Sequence, residues 1–212
     1  MENYLEYDEE RDRYRIEITS SRGCLECFDF TEPVEGNIYD EKQWSLEFYI
    51  RVIAEEKEQE VAVIKGILFD ENKLEESGLD IVEAADYIAQ DEYDAAYWLS
   101  EFEGYKGIEG DDEWIWKGSY SGYIATFYVY EEYRNKGIAK YLFSNIHKLL
   151  KYSLNINLRC ISIYPQPQNP EGWNNISDDD MMRNMIQVIE RNGFIKIGNE
   201  GYYARTYELV EI

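Results

Sequence analysis

The chain has 212 residues, with 44 acids against 21 bases for a formal charge of −23, and is 44% hydrophobic and 16% aromatic. That share of core-forming side chains excludes a disordered acidic tail, and three cysteines are too few for a disulfide scaffold. No apolar run approaches the ~18 residues of a membrane span, the first residues show no leader pattern, and the acid excess opposes sequence-independent nucleic-acid binding. The expectation is a cytoplasmic protein that engages neither membrane nor nucleic acid.

Residues 13–19 alternate at period two and predict a strand. Residues 45–54 and 60–69 are β-branched and aromatic, and the short charged connection predicts an antiparallel pair, with a bulge at Gly66. A helix is predicted over about 80–100. Its apolar face carries Ile81, Ala84, Ala85, Ile88 and Ala89, then Ala95, Ala96 and Leu99 beyond an acidic break at Asp91-Glu92. Residues 123–130 are apolar on both faces, as a central strand requires. From about Gly137 to Tyr152 a helix presents Ile138, Leu142, Ile146 and Leu149 on one side, with Lys140, Lys148 and Lys151 towards the other.

A strand over about 158–164 leads into a polar loop with three prolines, Pro165 to Asp180. Ser177 is placed to cap the next helix, which carries Met182, Met185, Ile186 and Ile189 at helical spacing and stops at Asn192-Gly193. Strands near 194–197 and 202–209 close the chain. No repeat or linker divides it. The order predicts one mixed α+β domain, not a regular βαβ repeat.

The acids are unevenly spread. Between Trp114 and Pro170 only Glu131 and Glu132 occur, where average density would give about a dozen. The same stretch keeps Lys117, Arg134, Lys136, Lys140, Lys148, Lys151 and Arg159. Burial would thin both signs of charge, so loss of one sign alone points to an anion site.

Within that stretch, Tyr133-Arg134-Asn135-Lys136-Gly137-Ile138-Ala139-Lys140 joins the central strand to the basic helix. A small-residue turn at a helix start leaves backbone N–H groups aimed one way, and the helix dipole adds its positive end. Gly137 and Ala139 admit a bulky anion, while Arg134, Lys136 and Lys140 add full charges.

This segment resembles the GCN5-related N-acetyltransferase (GNAT) family. Arg134, Gly137 and Ala139 match its Arg/Gln-x-x-Gly-x-Gly/Ala signature, and Phe127 to Ala139 is similar to its cofactor-binding strand and loop. Ile189 to Phe194 is similar to the helix ending in Gly-Phe that opens its last strands. The likeness covers about 115–205 and implies a central, mostly antiparallel sheet flanked by helices. It also implies that 1–212 is one domain, with 1–110 a variable acceptor-side half and 115–205 the acyl-CoA half.

On this resemblance acetyl-CoA is the co-substrate. Phe127, Tyr128 and Val129 would pair with its pantetheine arm as an added strand, and Arg134, Asn135, Lys136, Gly137, Ile138 and Ala139 would hold its pyrophosphate. Acetyl would pass directly to an amine in a ternary complex, through an oxyanion held by a strand amide. The acceptor is expected to be a small-molecule or protein amine, cationic enough to be drawn to an acidic surface.

Two positions depart from the family pattern. Its usual last-helix Tyr is Ile189 here, and Trp114 to Tyr130 holds no acid. A base must reach the amine directly or through water. Glu131 and Glu132 are the candidate bases, Tyr164 is a replacement acid, and a solvent relay needs none of them.

The lone histidine, His147, reads as a boundary residue, which leaves no Ser-His-Asp or Cys-His arrangement. Cys24 and Cys27 form one CxxC without a second pair, and Asp178-Asp179-Asp180 reads as a helix start, so no metal is expected. An inactive CoA-binding module of the same fold, or an acidic mimic of nucleic acid, are the alternatives. Monomer and homodimer both remain open.

Overall fold

The computed structural model describes residues 3–5, 13–22, 44–102, 119–166 and 178–207. The CxxC, the Ser177 cap and most of the proline loop lie outside these. Eight strands are described: β1 (Asn3–Leu5), β2 (Tyr14–Arg22), β3 (Ser45–Ala54), β4 (Gln59–Asp70), β5 (Ser119–Val129), β6 (Asn157–Ile163), β7 (Ile195–Ile197) and β8 (Tyr202–Thr206). They form one sheet in the order β1-β2-β3-β4-β5-β6-β8-β7. Every pairing is antiparallel except β5 with β6.

The alternation in β3 explains how the sheet is seated. Leu46, Phe48, Ile50 and Val52 are buried on one face, while Glu47, Tyr49 and Arg51 between them are half-buried. β4 and the first half of β5 are buried on both faces, which makes them the middle of the sheet.

Helices cover both faces. On one lie α4 (Ile138–Leu154) and α5 (Asp178–Arg191), whose Leu142, Phe143, Ile146, Leu150 and Ile189 complete the larger core with Ile50, Ile64 and Leu68. On the other lie α1 (Glu71–Ser77), α2 (Ile81–Asp86) and α3 (Gln90–Glu101). Their Leu74, Ile81, Ala84, Ala95, Ala96 and Leu99 pack on Ile67, Phe69 and Tyr123.

The helix predicted over 80–100 is therefore two helices, and α1 precedes them. The break falls at Tyr87–Ala89, ahead of the acidic pair. Asp91 and Glu92 occupy the first turn of α3, where the positive end of the dipole favours them. Asp80 caps α2 with a reciprocal capping box. No helix among the described residues is long and apolar enough to cross a membrane.

Candidate functional site

β5 and β6 run side by side from Ser119↔Asn157 to Ile124↔Ile163, and there the pairing ends. β5 continues to Val129 along β4, whereas β6 stops at Ile163 and turns off through Tyr164 and Pro165. The strands part like the arms of a V. At the same point the β4–β5 register steps from Gly66↔Ile124 to Lys65↔Thr126, so Ala125 is an extra residue that bends β5. The irregularity predicted at Gly66 is there, with the extra residue on the partner strand. Gly66 is needed for close approach: a Cβ on it would lie 2.5 Å from the Phe48 ring and 2.3 Å from the Tyr123 carbonyl oxygen.

The chain leaves β5 by a 3-10 turn (Glu131–Tyr133) and enters α4 through Asn135 and Gly137, at φ +62° and +84°. Arg134 holds this bend. Its Nε donates to the Val129 carbonyl at 3.0 Å, and Nη2 donates to the Tyr128 hydroxyl at 3.2 Å. The first helical bond of α4 runs from the Tyr141 N–H to the Gly137 carbonyl, at 3.0 Å. The N–H groups of Ile138, Ala139 and Lys140 therefore have no acceptor within the helix. A Cβ on Gly137 would meet nothing within 4 Å, so the space before these amides is open.

That space belongs to a cleft of about 510 Å³ between the β5–α4 bend and α5. Phe127, Tyr128, Val129, Arg134, Asn135, Gly137, Ile138 and Ala139 line it, as does Lys140. Lys136 does not. Its ammonium lies 4.9 Å from the centre of the buried Tyr133 ring, which Lys57 also approaches at 5.8 Å.

The opposite wall was not foreseen. It consists of Met181, Met185 and Val188 with Asn184, Gln187 and Arg191 from α5, and Gln166 closes one end. Of the apolar stripe expected on α5, Met182, Met185, Ile186 and Ile189, only Met185 lines the cleft. A second stripe beside it, running from Met181 through Met185 and Val188 to Arg191, was the missed signal. Ile189 is fully buried in the core, so a side chain there does not face the cleft.

A buried amide fixes the spacing of the two walls. Asn192 accepts from the Ser144 hydroxyl of α4 and donates to the Val188 carbonyl of α5 at 2.7 Å, while Arg205 of β8 donates to its carbonyl at 2.6 Å. Gly193, at φ +81°, then turns the chain so that Phe194 enters the core.

Across the V from this cleft lies a second one of about 440 Å³. Tyr93, Asp94, Tyr97 and Trp98 of α3 line one side, and Tyr164 with Tyr202 and Glu200 of the β7–β8 hairpin line the other. Burial, reinforced by Asp94, Asp91, Tyr164 and Glu200, pushes the Tyr202 phenol up to about 12. The segment 164–166 separates the two clefts, closed by a 2.8 Å bond from the Gln166 N–H to the Tyr164 carbonyl.

Of the three candidate catalytic residues, Glu131 and Glu132 sit exposed on the 3-10 turn, and neither lines the larger cleft. Tyr164 follows directly on the last residue of β6. It is 40% exposed and its ring centre lies 5.1 Å from that of Tyr202.

The sequence matches the model of the acetyltransferase (GNAT) family over residues 24–174. Two solved structures of Arabidopsis thaliana NAA60 are similar to it. The complex with acetyl-CoA is 17% identical, with 76% of each chain covered and a TM-score of 0.38. The complex with a bisubstrate analogue is 16% identical, with 84% of each chain covered and a TM-score of 0.38. No curated protein matches the sequence. The family match spans most of the chain, including the parted strands, the bend and the start of α4, and this protein belongs to the GNAT acetyltransferase family, with acetyl-CoA as its co-substrate.

Proposed function

We propose that the protein is an N-acetyltransferase that moves acetyl from acetyl-CoA to an amine, with the larger cleft holding the CoA. The observation that carries this is the coincidence of three features at one place. β5 runs past its last β6 partner, the first amides of α4 lack helical acceptors, and open space lies over Gly137. An extended chain fits along β5 at 127–129, and phosphate oxygens fit before Ile138, Ala139 and Lys140. Arg134, Lys140 and Arg191 line the cleft, and among the described residues no carboxylate does, so a polyanion is favoured over its full length.

When bound, acetyl-CoA supplies the activated thioester. The chain's own residues orient it: Arg134 stiffens the bend, and Met181, Met185 and Val188 give the α5 wall apolar surface. The acceptor nitrogen gains the acyl group, the carbon–sulfur bond breaks, and the displaced proton passes to sulfur. Tyr164, at the point where β6 leaves β5, is the side chain assigned to that proton, directly or through solvent. Glu131 and Glu132 act as solvated carboxylates at the bend.

The whole chain is read as one domain, because α3 from its first half completes the side of the V away from the CoA cleft. A cytoplasmic setting suits the free, buried thiol of Cys160.

Calorimetry with acetyl-CoA, with ATP as control, followed by detection of free thiol in the presence of amines, tests the reading. The expected result is saturable binding of acetyl-CoA alone and thiol release only with an amine. Binding without release to any amine would overturn the N-acetyl assignment. Absence of binding would overturn the site.

A further inference from the structure

The second cleft has a chemistry of its own. Tyr93, Tyr97, Trp98 and Tyr202 present ring faces and edges, with Tyr97 and Trp98 edge to face at 5.3 Å and Tyr93 stacked on Tyr97 at 6.4 Å. Asp94 and Glu200 line it, and among the described residues no Lys, Arg or His does. Asp94 accepts from the Gln90 side-chain amide at 2.9 Å, and neither carboxylate is in a salt bridge among the described residues.

The walls are held in place by the hairpin. Gly198 lies so close to Trp98 that a Cβ would fall 2.0 Å from the indole, and a Cβ on Gly201 would fall 3.2 Å from the Tyr164 ring. Both glycines have positive φ, +57° and +91°. The rings are thus seated before any ligand arrives, which favours a ligand that needs a rigid cage.

We infer that this cleft binds an alkylammonium group of the acceptor, distinct from the amine that is acylated, so that the acceptor carries at least two amino groups. The inference rests on the N-acetyltransferase reading for the fate of the first amine, but the ammonium site stands on its own residues. Ring faces attract a desolvated cation, and the two carboxylates add long-range attraction that a neutral or anionic ligand would not share. The cleft adjoins Tyr164, where β5 and β6 part, so an acceptor held by one ammonium can extend its other amine towards the V. Free polyamines and lysine side chains in a peptide both carry this group.

The test is calorimetric titration of the full chain with spermidine and, separately, with a lysine-containing peptide, using butylamine and pentanol as single-charge and neutral probes. Asp94→Asn/Glu200→Gln is the variant, chosen because both changes keep the side-chain volume. Saturable binding of spermidine or the peptide, weakened about ten-fold in the variant while acetyl-CoA affinity stays within two-fold, is expected. Spermidine alone would identify a free polyamine, and the peptide alone a protein lysine. Equal binding by pentanol, or binding unchanged in the variant, would overturn the inference. Carboxylate-dependent spermidine binding in a protein that does not bind acetyl-CoA would uphold the ammonium site and defeat the proposed function instead.

Discussion

The two clefts on either side of the parted strands are built from opposite materials. The larger one is lined by Arg134, Lys140 and Arg191 and by helix-start amides, with no acid among its described residues. The smaller one carries Asp94 and Glu200 among aromatic rings, with no base among its described residues. A chain of formal charge −23 could bias any surface towards cations. Only local exclusion of acids makes room for a polyanion, and only a preset cage turns general attraction into a site. The contrast shows that net charge describes neither cleft, and that the separation of signs across the V is the informative quantity.

The largest expected effect comes from placing a negative charge in the first cleft. Gly137→Asp puts a carboxylate where the anion would sit and forces a non-glycine residue to φ +84°. Loss of acetyl-CoA affinity of about 100-fold or more is expected by calorimetry, with spermidine binding retained. Retained acetyl-CoA affinity would erase the contrast.

Next in size is Gly198→Ala, which attacks the second cleft without touching charge. Crowding of the Trp98 ring at φ +57° should cost about 2–4 kcal/mol, seen as a lower denaturation midpoint. Spermidine binding should weaken with it, while acetyl-CoA binding per folded molecule stays unchanged.

Arg134→Lys asks whether the first cleft uses this residue as charge or as a brace. Lysine keeps the charge but loses the paired bonds to the Val129 carbonyl and the Tyr128 hydroxyl. Acetyl-CoA affinity should fall about five- to ten-fold, a loss of about 1 kcal/mol. An unchanged affinity would make it a point charge only.

The smallest effect is a pH dependence in the second cleft. Because the Tyr202 phenol is raised to about 12 in the fold, the unfolded chain gives up this proton near 10 while the folded one keeps it. The folded state then binds more protons between about 10 and 12, so stability falls as pH rises through that window. Urea midpoints at pH 9, 10 and 11 should decline less steeply in Tyr202→Phe than in the parent.

Much of the frame was legible in the sequence because strand and helix periods are local. The strand expected over 45–54 is β3 to the residue, and the helix expected from Gly137 to Tyr152 is α4 within two residues. The bend was legible too, since a strand end, a glycine and an amphipathic helix stand consecutively. α1 was not, because a seven-residue acidic helix with Leu74 as its one buried residue has no periodicity to read. The three-residue strand β1 escaped for the same reason.

By itself, the sequence determined the longer strands and helices from β2 onward, the acid-poor stretch and the anion-ready bend, all encoded within runs of neighbouring residues. The tertiary structure alone decided which wall faces the bend, where β5 and β6 part, and that residues 93–98, 164 and 200–202 meet. α5 presents two stripes, and only packing selects Ile189 for the core and Val188 for the cleft. The parting of β5 from β6 coincides with a register shift opposite Gly66, set by contacts between residues nearly 60 apart in the chain. The aromatic and acidic cleft depends on Gly198 letting Trp98 lie against the hairpin, a steric fit that no local pattern announces.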